Sequence, residues 1–74
     1  MSVYRVTEII GTSETSWEEA ARTAISTAAR SLRDLRIAEV VEQDLTLSPE
    51  GEVEKFRIKL RVSFKYELPW SKPA

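Results

Sequence analysis

The chain has 74 residues, 11 basic against 12 acidic side chains, two glycines, and neither cysteine nor histidine. Disulfides, thiolate metal sites, Ser–His and Cys–His nucleophiles and imidazole bases are therefore excluded, and no glycine-rich phosphate loop exists. A near-neutral charge weighs against nucleic-acid binding, and a chain this short is one domain for which association with other copies is the remaining staple.

Val3 to Ile10 is rich in β-branched residues and runs into Gly11, which predicts a first strand with Gly11–Thr15 as the turn after it. Glu8 breaks the alternation by sharing a face with Tyr4, Val6 and Ile10, so its carboxylate needs a partner or the rim. Ser16 with Glu19, or Thr15 with Glu18, has the spacing of a capping box and predicts a helix from Trp17. Apolar residues at 17, 20, 21, 24, 25, 28 and 32 give that helix one buried face over about 16 residues, or roughly 24 Å. Four of those residues are alanines, so the helix can lie close to a sheet but covers little of it. Arg30 and Arg33 are expected near its C-terminus, where the dipole favours cations.

Leu35 to Leu47 predicts a second strand, with the adjacent Val40 and Val41 as a place for a bulge. Ser48-Pro-Glu-Gly51 is a turn by composition, and the strand after it makes an antiparallel hairpin. From Phe56 to Leu68 every even position is apolar and every odd one polar, which is the pattern of one long half-buried strand. Straight, it would span roughly 43 Å, so it outruns the helix and must curl around it or be covered by another subunit. Residues 1–68 form a single domain, and 69–74, with two prolines and Trp70, a short tail.

The order β-α-β-β predicts an α+β fold, a three-stranded antiparallel sheet wrapped around one helix. The face away from the helix carries Lys55, Arg57, Lys59, Arg61 and Lys65, which are solvated or meet Glu39, Glu42 or Asp44. Asp44, Thr46, Ser48, Glu50, Glu52 and Glu54 are oxygen donors of the type a hard cation accepts, but Pro49 stands where an EF-hand needs glycine. An acidic hairpin loop is the plainer explanation. No apolar run follows Met1 and none approaches the length of a membrane span, so the expectation is a soluble cytoplasmic protein.

Val3-Tyr-Arg-Val6, Gly11-Thr-Ser13, Thr15-Ser-Trp-Glu18, Leu32-Arg-Asp-Leu35, Glu39-Val-Val-Glu-Gln43 and Val62-Ser-Phe-Lys65 resemble the dodecin family, over roughly Val3 to Glu67. The resemblance implies a β-α-β-β subunit and a hollow shell of twelve copies with tetrahedral symmetry. Flavin-binding dodecins stack isoalloxazine rings on a second-strand tryptophan, and the matching position here is Ile37. Arg57 replaces the usual third-strand glutamine, and Asp44 replaces an arginine suited to a ligand phosphate. The Arg36-Ile37-Ala38 and Glu42-Gln43-Asp44 stretches look more like the calcium dodecins, which lack that tryptophan.

The leading expectation is thus a non-enzymatic homo-dodecamer that binds Ca²⁺ through Asp44 and Glu42, without nucleic-acid or membrane partners. The alternatives are a flavin (FMN or riboflavin) store with Ile37, Glu42 and Arg57 as the contacts, and a structural shell that acts through protein contacts.

Overall fold

The computed structural model describes residues 3–65, in the order β1 (Tyr4–Ser13), α1 (Trp17–Ala28), β2 (Leu35–Leu47) and β3 (Val53–Lys65). β3 lies in the middle of an antiparallel sheet of order β1-β3-β2. Its even residues face the helix: Ile58, Leu60 and Val62 are buried, with Phe56 and Phe64 half-buried on either side. The strand begins at Val53, three residues earlier than the alternation suggests. Its continuation through Tyr66 and Leu68, and the tail with Trp70, lie outside the described residues.

Of the two possible helix caps, Ser16 is the one used. Its backbone is extended and its Oγ accepts from the Glu19 amide at 3.0 Å, while Glu18 and Glu19 place negative charge on the first turn. The box is half closed, because the Ser16 amide donates to Ser13 Oγ at 3.4 Å. At the other end the helix stops after 12 residues, shorter than the apolar spacing suggests. The Arg30 and Ser31 amides turn to the carbonyls of Thr27 and Ala28, three residues back, which tightens the chain out of the α-helix. Arg30 and Arg33 therefore lie beyond the last turn and not on it. Asp34 then takes a left-handed φ of 57°, tolerated by a short polar side chain, and turns the chain into β2.

Ala20, Ala24 and Ala28 are the buried residues of α1, and the first two cluster with Ile58, Leu60 and Val62. Trp17, Ile25, Ile9 and Leu35 pack around them. Gly11 is not a terminator: it lies inside β1, opposite Ile58, and is buried beneath the helix. A methyl group there would collide with the Ala20 carbonyl oxygen and stand 2.8 Å from Ala24 Cβ. Gly11 and the alanines are thus one device, a thin contact that lets the helix axis approach the sheet. At the hairpin, Gly51 has φ 85° and donates to the Ser48 carbonyl at 2.9 Å.

This core is small for the sheet above it. Twelve residues of helix span roughly 18 Å, so much of β2 and both sheet ends lie beyond its reach. Val6, Ile10, Ile37, Val40 and Leu47 are each more than half exposed. The radius of gyration is 15.5 Å, against about 11 Å for a compact domain of this length.

Because the Gly11 contact admits no extra atom, Gly11→Ala should destabilise the fold by about 1–3 kcal/mol through overpacking. Denaturant unfolding of the variant beside the unaltered chain, at matched protein concentration, measures this; equal midpoints would show that the helix can move away at no cost.

Candidate functional site

The sheet face away from the helix is organised in rows across the three strands. Register places Glu8 beside Arg61 beside Glu39, then Ile10 beside Lys59 beside Glu42, then Thr12 beside Arg57 beside Asp44. A bulge makes this possible. β2 passes from Val40, opposite Leu60, to Glu42, opposite Lys59, and Val41 is the extra residue. Before it the odd residues Ile37 and Glu39 lie on the outer face; after it the even residues Glu42 and Asp44 do. An unbroken strand would have placed Val41 and Gln43 against Lys59 and Arg57 instead.

The rows close into ion pairs. Arg57 grips Asp44 with a two-pronged contact, Nε to Oδ1 at 2.9 Å and Nη2 to Oδ2 at 3.2 Å. Glu8 bridges Arg61 at 3.1 Å and Lys59 at 3.5 Å. Arg61 reaches Glu39 at 3.5 Å, and Lys59 reaches Glu42 at 3.8 Å. The hydrogen bond from Arg57 holds the Asp44 carboxyl below its ordinary value and raises the guanidinium above its own. The Arg61 hydrogen bond, helped by the charge of Lys59, does the same to Glu8. All these side chains remain substantially exposed, so each pair taken alone is weak.

Of the residues singled out in the sequence, the fold gathers Glu42, Asp44 and Arg57, with Ile10 and Lys59, around a depression of about 90 Å³. Ile37 is elsewhere, 67% exposed in the Ser63 row. That row lies six steps along β3 from Arg57, so the two are roughly 20 Å apart along one chain. Trp17 also belongs to this region. Its indole Nε1 donates to the Asp44 carbonyl at 3.1 Å, and its ring meets Phe56 edge to face at 5.3 Å. The first turn of the helix is thereby tied to β2 beneath the depression.

A sequence model described as Dodecin matches residues 3–67. The chain belongs to the dodecin family. It is 54% identical over 65 residues to the calcium dodecin of Mycobacterium tuberculosis, covering 88% of this chain and 90% of that protein. A crystal structure of the calcium-chelating M. tuberculosis calcium dodecin, with a novel calcium-binding site, matches with TM-score 0.78 and 49% identity over 99% of this chain and 100% of that one. The dodecin from Streptomyces davaonensis matches with TM-score 0.83 and 33% identity, covering 90% and 97% of the two chains.

Glu42 and Asp44 carry oxygen donors of the kind a calcium ion accepts. Two carboxylates supply at most four oxygens, where calcium takes six to eight. Among the described residues no three acidic side chains gather to hold a metal, and the Ser48 hydroxyl of the acidic hairpin is engaged by the Glu52 amide. The sequence singles out Glu8 as an anomaly without naming its partners, because they come from the pairing of β1 with β3, at the far end of the chain. The indole bond of Trp17 carries no signal beyond apolar helical spacing.

Since the Glu8 carboxyl is held low in the fold, it stabilises above the ordinary glutamate range, and the contribution disappears as pH falls through the lowered value. Glu8→Gln should therefore lower the unfolding midpoint at neutral pH and low salt, with the difference closing in acid and shrinking in salt. Parallel denaturation series in pH and NaCl read this out; a pH-independent difference would assign Glu8 a packing role.

Proposed function

We propose that this chain is one subunit of a hollow twelve-membered shell that binds and stores calcium and carries out no catalysis. The observation that carries this reading is the side-by-side placement of Glu42 and Asp44 on one sheet face, in a chain 54% identical to a calcium dodecin. In this reading Asp44 and Glu42 are the chain's donors, and a subunit contact completes the ion's shell. The elongated monomer and its exposed Val6, Ile10, Ile37, Val40 and Leu47 support assembly, because another copy can bury apolar residues that the monomer leaves open on the sheet. Flavin storage draws less support: Ile37 offers no aromatic platform and sits far from Glu42 and Arg57 within the chain.

Native mass spectrometry of the purified protein tests both halves. The expected result is a twelve-subunit mass with calcium-sized adducts that a chelator removes. Calcium at about 100 times its Kd should add about 2.7 kcal/mol to the unfolding free energy, and Asp44→Asn should lose most of that gain. A flavin-bearing shell would favour the storage of flavin; a bare monomer would overturn the assembly.

A further inference from the structure

Arg57 stands in the way of the ion that Asp44 would bind. Both Asp44 carboxylate oxygens are already engaged, one by Nε at 2.9 Å and the other by Nη2 at 3.2 Å. A guanidinium gripping a carboxylate in this way takes one lone pair on each oxygen and sets a full positive charge beside them, so fork and cation compete for the same carboxylate. We infer that Arg57 is a built-in competitor of the bound cation, a resident counter-ion that a divalent ion must displace and that sets the affinity and charge selectivity of the site. The inference rests on the calcium reading above and adds to it the residue that regulates binding.

Three observations carry it. First, the contact is imposed by the strands: Asp44 and Arg57 are register partners across the β2–β3 ladder. Second, the pair is open to solvent, with the Arg57 and Asp44 side chains 43% and 47% exposed. Release of the guanidinium therefore opens no packing, and an exposed pair is weak enough to exchange. Third, the Asp44 main chain is held independently of its side chain by the indole of Trp17. Exchange of partners at the carboxylate thus leaves the strand in place.

Arg57 differs from its neighbours on the face. Lys59 divides its charge between Glu8 at 3.5 Å and Glu42 at 3.8 Å, as a point charge without a fork. Among the described residues Arg57 makes no salt bridge other than that with Asp44. A monovalent cation brings the same charge as the guanidinium and no geometric advantage, so it does not displace it. A divalent ion brings twice the charge, and it can recruit Glu42 alongside. The resident arginine thereby keeps the face from collecting monovalent ions at the carboxylate the divalent ion uses.

The test is equilibrium calcium binding to the intact protein, by calorimetry at fixed NaCl, for the unaltered chain and for R57Q, R57K, K55Q and D44N. R57Q should tighten calcium binding about three- to tenfold, as expected when a competing ion pair and a neighbouring positive charge are removed. It should also make binding more sensitive to NaCl. R57K keeps the charge and loses the fork, so it should fall between, and it serves if R57Q does not assemble. K55Q removes a charge one row along β3, opposite Thr46 and not a carboxylate, and should change affinity little. Unchanged or weaker binding in R57Q, or an equal gain in K55Q, overturns the competition while leaving calcium binding intact. Calcium binding in D44N equal to that of the unaltered chain, or none in any variant, overturns the calcium reading and the inference together.

Discussion

Val41 has no partner on β3, and that unpaired residue moves the second half of β2 by one step against its neighbour. Side chains alternate along a strand, so a one-residue step exchanges the faces of everything after it. Glu42 and Asp44 arrive opposite Lys59 and Arg57 because of this shift, and the depression they line exists only on that register. Valine suits the position, where the side chain is half-buried. The acidic side of the site is thus set by backbone geometry first and by residue identity second.

On the opposite face the controlling quantity is thickness. Ala20 and Ala24 against Gly11 leave few side-chain atoms between helix and strand at that point, so α1 lies close on β1. The contact is close but narrow, and a 12-residue helix leaves much of a sheet whose β2 and β3 each run 13 residues uncovered. The same feature that makes the monomer's core well fitted makes it too small to cover Val40 and Leu45, which lie opposite Leu60 and Phe56 on the helix side. A thin core and exposed apolar edges are two sides of one arrangement, and they give the isolated subunit good reason to associate.

Much of this is legible in the residues alone, and the gaps have physical reasons. The alternation from Phe56 onward declares β3 and its buried face, since nothing competes with period two there. Ser16 three residues before Glu19 declares the helix start. Gly11 is misread because glycine at the end of a β-branched run has the look of a terminator; its reason for being glycine is a helix that crosses it from elsewhere in the chain. The helix end is misread because Leu32 continues the apolar spacing after the backbone has tightened at Arg30 and Ser31. The ion pairs could not be assigned because a bulge of uncertain position decides the parity of β2, and each of Glu39, Glu42 and Asp44 was open to several cations. Trp17 is read as core by its spacing, and it is; that its indole nitrogen also reaches β2 needs the third dimension.

The two faces meet at Trp17. Its ring packs at the edge of the core against Phe56 while its nitrogen donates to the Asp44 carbonyl, so the part of β2 that carries the carboxylates is fastened to the first turn of α1. The side chains above are not fastened in that way. Four carboxylates, Glu8, Glu39, Glu42 and Asp44, share three cations, Arg57, Lys59 and Arg61, all of them in contact with water. Exposed pairs of this kind contribute little to holding a fold together, and for that reason they can exchange partners without disturbing it. A fixed main chain beneath interchangeable, acid-rich side chains is what an ion-binding surface requires, and it follows here from one indole hydrogen bond and one extra residue in a strand.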